Sequence, residues 1–251
     1  MNIKRFLLIK ALYLKQKNFI KCIAFLKNIS DIVLQVKYFL GGYDKNFSYL
    51  IWCTKTQKAA IVDPAVKINP IINYINKNKL KLEKILITHT HGDHIRYLND
   101  FLLEYNYRLK IHISDKTKIN SFKYNNHIAH NEVIDLGFEK IKCLYTPGHY
   151  YDSICFWSIE NNIIFTGDTM FIGRTGRTIH EGSNINDLYD SIYNILLKLP
   201  LETIIFSGHN YGKLKFDTIE NNIKKSDFFS CKNFQEFSLI MDNYEKSRKK
   251  Q

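Results

Sequence analysis

The segment that most constrains this chain is Ile85-Leu-Ile-Thr-His-Thr-His-Gly-Asp-His94, where three imidazoles and a carboxylate fall within six residues at the end of an apolar run. Structural needs alone rarely place four such groups together, because burying them without a partner is costly. His89, His91, Asp93 and His94 carry the donors expected around Zn²⁺ or Fe²⁺. Gly92 is expected to supply the tight backbone that lets the two pairs converge. Lys84–Ile87 reads as a buried strand, so the cluster begins where a strand ends.

Three later segments repeat that grammar. Leu144-Tyr-Thr-Pro-Gly-His149 ends a strand and presents a histidine after a Pro-Gly turn; Ile164-Phe-Thr-Gly-Asp168 presents an aspartate; Ile205-Phe-Ser-Gly-His209 presents another histidine. A single histidine after a turn is ordinarily a solvated loop residue, and each piece alone is weak. Together they predict a metal site assembled from four strand termini.

The rest of the chain supplies a scaffold of alternating elements. Val36–Leu40, Phe47–Cys53, Ala59–Val62, Lys110–Ser114, Ile141–Tyr145, Ile154–Ile159, Ile163–Thr166 and Ile204–Phe206 are rich in β-branched and aromatic residues and read as strands. Helical spacing marks Pro70–Asn76, Ile95–Tyr105, Asn186–Leu199 and Phe234–Tyr244. Two blocks of strands with helices outside them predict two sheets packed face to face in one domain over residues 34–251. No apolar run approaches the roughly 18–20 residues of a membrane-spanning helix, so no membrane partner is expected. Cys22, Cys53, Cys143, Cys155 and Cys231 are odd in number and contain no CxxC pair, which suits a reducing compartment rather than a disulfide framework.

Net charge is +12, but it is not spread over the fold. Residues 1–30 hold seven Lys/Arg and no acid, and residues 244–251 hold four Lys/Arg and Glu245, so the span between carries about +2. A basic groove for nucleic acid is therefore not implied. Residues 1–33 form a basic N-terminal extension mixing Phe6, Leu8, Leu12, Leu14 and Ile20 with lysines. It reads either as an organelle-targeting presequence, mitochondrial for instance, or as a solvated surface helix on a cytoplasmic protein.

The four strand-end segments resemble those of the metallo-β-lactamase superfamily over roughly residues 35–245. The resemblance implies an α+β fold, an αββα sandwich of two mixed β-sheets flanked by helices, with metals at one edge between the sheets. It also implies a division of ligands: His89, His91 and His149 at a first site, Asp93, His94 and His209 at a second, and Asp168 bridging. Asp93 and Asp168 are the expected catalytic carboxylates. Asp63, in Ile61-Val-Asp-Pro64, resembles an early family aspartate that supports the site. His112, His127, His130 and His180 match no family position; His112 is expected in a strand, His127 and His130 in a solvated loop.

Two chemistries fit that resemblance, both on a small glutathione derivative. Persulfide dioxygenase, the reading placed first, holds one Fe²⁺ per chain with His89, His149 and Asp168 and oxidises glutathione persulfide toward sulfite. Glyoxalase II, a hydroxyacylglutathione (thiolester) hydrolase, uses two Zn²⁺ or a mixed Zn/Fe pair to activate water and polarise the substrate carbonyl. Gly176-Arg-Thr178 and its spacing to Leu188-Tyr189 resemble the dioxygenase group, and glyoxalase II carries a larger helical domain where 40 residues follow Tyr211 here. Arg177 and Tyr211 are the expected glutathione contacts, the guanidinium fork matching a carboxylate. Tyr150-Tyr151, beside His149, either narrow the pocket or pack within a loop. A nucleic-acid-processing metallohydrolase of the same fold is the remaining alternative, and monomer or homodimer is left open.

Overall fold

The computed structural model describes residues 33–118 and 125–248. Twelve strands in these residues form two six-stranded sheets. The first holds β1 (Leu34–Gly41), β2 (Asn46–Cys53), β3 (Lys58–Val62), β4 (Lys81–Leu86), β5 (Lys110–Ser114) and β6 (Asn125–Ile128) in that spatial order. β1 to β3 pair antiparallel and β3 to β6 parallel. In the second sheet, β7 (Val133–Leu136), β8 (Glu139–Tyr145), β9 (Ile154–Ser158) and β10 (Ile163–Gly167) run as an antiparallel meander. β11 (Ile204–Ser207) then joins β10 in parallel, and β12 (Phe216–Thr218) closes the edge antiparallel. Both sheets are mixed, as the resemblance implies.

The layering follows from strands that are apolar on both faces. In β2, Phe47, Tyr49 and Ile51 point between the sheets, where they join Phe156, Phe165 and Phe206 of the facing sheet. The alternate residues Leu50 and Trp52 point outward onto α1 (Ile68–Lys77) and α2 (Leu98–Glu104) through Ile71, Ile75, Phe101 and Leu102. On the opposite outer face, Leu144, Ile164 and Ile205 pack on α3 (Ile185–Asp190), α4 (Ile219–Lys225) and α5 (Phe234–Arg248) through Leu188, Ile219, Phe237 and Met241. The order is helix, sheet, sheet, helix.

Several expectations are refined. The helix expected over Asn186–Leu199 is continuous winding of three kinds: α3, a π-helical turn at Ser191–Ile195 and a 3₁₀ turn at Leu196–Lys198. Its buried stripe is Leu188, Ile192 and Leu196, a strict four-residue spacing that a wider turn keeps on one face better than a 3.6-residue repeat. Of the stripe expected over Ile95–Tyr105, only Leu98–Glu104 is helical; the N–H of Tyr97, the residue before it, goes to the Pro64 carbonyl (2.9 Å). β6 carries His127, expected in a loop, in register with Ile113. Residues 1–32, the greater part of the basic extension, lie outside the described residues. Among the described residues no helix is long and apolar enough to cross a membrane.

Candidate metal centre

All four predicted segments end at one edge of the sandwich. β4 leads into the His89–His94 loop, β8 into His149, β10 into Asp168 and β11 into His209. Backbone bonds stitch the two sheets together at this edge: Ile154 N–H to the Thr88 carbonyl (2.7 Å) and Phe47 N–H to the Gly208 carbonyl (2.8 Å). Gly208 is required by close approach, since a Cβ there would collide with the Asp168 carboxylate and the His94 ring. Gly92 is not: its φ is not left-handed and a Cβ would meet nothing within 4 Å, so the convergence expected of it comes from elsewhere.

The seven expected ligands converge. His89, His91 and His149 form one trio and Asp93, His94 and His209 another, the donor atoms of each lying within 4.8 Å of one another; His89, His94 and Asp168 form an overlapping third set. His91 Nδ1 stands 3.0 Å from His89 Nε2 and 3.1 Å from His149 Nε2. In the second trio, His94 Nε2 and His209 Nε2 are 3.2 Å apart. Asp168 lies between the trios: Oδ1 is 3.2 Å from His94, while Oδ2 is 3.2 Å from His209 and 3.5 Å from His149. All but His91 and Asp93 are buried.

The outer nitrogens explain why the inner ones aim at a common point. His149 Nδ1–H donates to the Arg177 carbonyl (2.9 Å) and His209 Nδ1–H to the Asp44 carbonyl (2.7 Å). His94 Nδ1–H donates to Asp63 Oδ2 (2.8 Å), and Thr88 Oγ1 stands 3.2 Å from His89 Nδ1. Each bond fixes a tautomer whose other nitrogen presents a lone pair inward, the usual support of metal-ligating imidazoles. Asp63 thus has the supporting place expected of it; its carboxylate also accepts from Thr88 N–H (2.8 Å) and Oγ1 (2.7 Å).

Electrostatics agree with that donor set. Burial and neighbouring imidazoles lower His89 well below the ordinary histidine value, and burial with His149 lowers His91 to about 4. Burial alone would raise Asp168, yet His209 and His94 outweigh it and hold its carboxyl well below the usual range. Burial alone would also lower His94 and His209, but the Asp168 carboxylate, joined by Asp63 at His94, outweighs it and raises both, so those two rings would give up a proton to a divalent cation taking its place beside Asp168. The residues fit one ion in each trio with Asp168 shared.

A cavity of about 550 Å³ opens over the cluster, lined among others by Tyr43, Tyr150, Arg174, Arg177, His180 and Tyr211. Arg177 is there, but Glu245 of α5 engages its guanidinium through Nε (2.7 Å) and Nη2 (2.6 Å). Tyr211 stacks on His209 at 4.7 Å and 6°, with its hydroxyl donating to the Asp44 carboxylate. Tyr150 covers His91, ring centroids 4.1 Å apart, and forms a pocket wall; Tyr151 packs behind it at 4.5 Å.

Other contributors escaped the sequence reading. Asn46 Nδ2 donates to Asp93 Oδ2 (2.8 Å), and Asp152 clamps the ligand loop by accepting from Thr90 Oγ1 (2.6 Å). Arg174 and His180 line the cavity without being expected there. Nothing local marks Asn46 or Asp152, because each acts across a long sequence separation.

Comparison with known proteins places this geometry among relatives. Residues 41–209 match the family model described as the metallo-beta-lactamase superfamily. A hydroxyacylglutathione hydrolase from Francisella tularensis subsp. novicida is 36% identical over 186 residues, covering 73% of this chain and 71% of that protein. The crystal structure of ETHE1 from Myxococcus xanthus superposes with a TM-score of 0.75 at 26% identity, covering 83% of this chain and 90% of that one. TTHA1623, solved in a di-iron-bound form, shares the fold with a TM-score of 0.63 at 20% identity, over 77% of this chain and 100% of that one.

Proposed function

The chain belongs to the metallo-β-lactamase superfamily and is an enzyme of that fold, and from that premise we propose that it hydrolyses thiolesters of glutathione with a dinuclear metal centre. The observation that carries the reading is the bridging position of Asp168 between two complete ligand trios. A mononuclear dioxygenase would use only His89, His149 and Asp168 of this set, whereas a dinuclear hydrolase would use both trios. Identity to a hydroxyacylglutathione hydrolase supports the same choice, so the order in which the sequence ranks the two chemistries is reversed here.

When bound, two divalent cations supply Lewis-acid polarisation of the acyl carbonyl and acidify water to near neutrality. The protein's own groups do the rest. Asp168 fixes both trios in one frame. Asp93, held by Asn46 and 28% exposed against 10% for Asp168, faces the pocket enough to take the proton lost by attacking water. Tyr150 and Tyr211 wall the site and limit solvent around the thiolester.

The second reading, persulfide dioxygenation with Fe²⁺ on His89, His149 and Asp168, is favoured by Gly176-Arg-Thr178. Paired assays on metal-replete protein separate the two. The hydrolase reading expects S-lactoylglutathione cleavage without oxygen uptake; oxygen consumption with glutathione persulfide and no thiolester cleavage would restore the dioxygenase.

A further inference from the structure

Three arginines reach the cavity, Arg174, Arg177 and Arg248, and they are not equivalent. The fork of Arg177 is already filled by Glu245. Arg248 is exposed at the rim, where Nη1 donates to the Tyr244 hydroxyl (3.1 Å). Arg174 is half-buried, with its guanidinium carbon 4.1 Å from the Tyr211 ring centroid, 5.0 Å from that of Phe171 and 5.3 Å from that of Tyr244. Among the described residues no carboxylate lies within ion-pair distance of it. Three ring faces hold the guanidinium by cation–π attraction and fix its plane, so its N–H donors stay available in a defined orientation.

The placement relative to the metal centre is what gives this group a use. Tyr211 is sandwiched, with His209 stacked on it at 4.7 Å and Arg174 over it at 4.1 Å. The cation is therefore one ring removed from a metal ligand. An extended residue spans roughly 3.5 Å, and the cysteinyl side chain adds a similar reach, so a cysteinyl thiolester seated at the metals would carry the carboxylate of the following residue toward Arg174. We propose that Arg174, rather than Arg177, is the cation that recognises the carboxylates of the glutathione moiety, and that Arg177 instead anchors α5 at the pocket rim. The inference rests on the glutathione reading of the site. The acids around the cavity are engaged elsewhere: Asp44 is bonded to Tyr211, Asp93 and Asp168 stand in the proposed ligand set, Glu181 is exposed, and Glu245, which feels the Arg174 charge, gives both its oxygens to Arg177.

The test uses S-hexylglutathione, a thioether that cannot be hydrolysed, and its diethyl ester. Calorimetry compares their binding to metal-loaded wild type, Arg174→Met and Arg174→Lys, with melting temperatures confirming that each variant is folded. Wild type is expected to prefer the free acid. Arg174→Met should weaken the free acid by about tenfold or more, the scale of a lost charge-assisted hydrogen bond, and bring the two ligands close to equal affinity; Arg174→Lys should recover part of the preference. Wild type that does not distinguish acid from ester overturns the inference, as does Arg174→Met that retains the preference or loses both ligands equally. Thiolester turnover by wild type is read separately: its absence overturns the hydrolase reading, whereas turnover without discrimination overturns this inference alone.

Discussion

Asn46 donates a 2.8 Å hydrogen bond from Nδ2 to Asp93 Oδ2, across 47 residues and between the first sheet's β2 and the ligand loop. The bond selects one orientation of the more exposed carboxylate of the candidate metal cluster. Asn46→Ala should therefore loosen the ion held by Asp93, His94 and His209 by about 10- to 100-fold. The ion held by His89, His91 and His149 should change far less. Competitive chelator titration, which resolves the two release steps, checks this; equal loss at both steps would contradict it.

Asp168 is the group shared by both trios, so its removal cannot be local. Asp168→Ala should abolish turnover and lower metal retention at both positions, by elemental analysis after dialysis. Turnover persisting in metal-replete Asp168→Ala would sink the mechanism.

The ion pair between Arg177 and Glu245 ties α5 to the loop that carries the carbonyl partner of His149. It is bidentate and only partly exposed, with side-chain exposures of 28% and 13%. A double-mutant cycle with Arg177→Met and Glu245→Gln should give a coupling energy of about 1 kcal/mol. Each single variant should melt roughly 2–4 °C lower. A coupling indistinguishable from zero would remove the anchoring role.

The sequence was most legible where a ligand follows a strand directly. His89, His149, Asp168 and His209 are each encoded beside the apolar run that positions them, so local pattern alone located the centre. Support that crosses the fold was not legible. Asp152 reaches Thr90 and the Asp44 carbonyl reaches His209 only once the two sheets have packed. Arg174 and Arg177 stand in one Gly-Arg-Thr-Gly-Arg run, and only the folded chain shows that Glu245 meets the second of them. β6, β7 and β12 were missed for a different reason: each has only three or four residues, and the first is Asn-Asn-His-Ile with no apolar alternation.

His112 lies in β5, away from the metal centre, and its buried Nε2 has no hydrogen-bond partner. Burial, with Lys84 and Lys110 nearby, lowers it to about 4. The folded state therefore resists protonation where the unfolded chain accepts it. Stability from this residue is complete above about pH 6.5 and is lost as pH falls toward 4. His112→Leu should flatten the stability–pH curve in that window by roughly 2–3 kcal/mol, measured by urea unfolding against wild type. Parallel curves for the two proteins would assign the acid sensitivity to other groups.

The proposed reaction has two metals acting together on a thiolester. Stripped protein titrated with Zn²⁺ while S-lactoylglutathione cleavage is followed tests it most directly. Activity should rise to a break at two equivalents per chain, with no oxygen consumed. Full activity at one equivalent, or activity restored only by Fe²⁺ with oxygen uptake on glutathione persulfide, would contradict it.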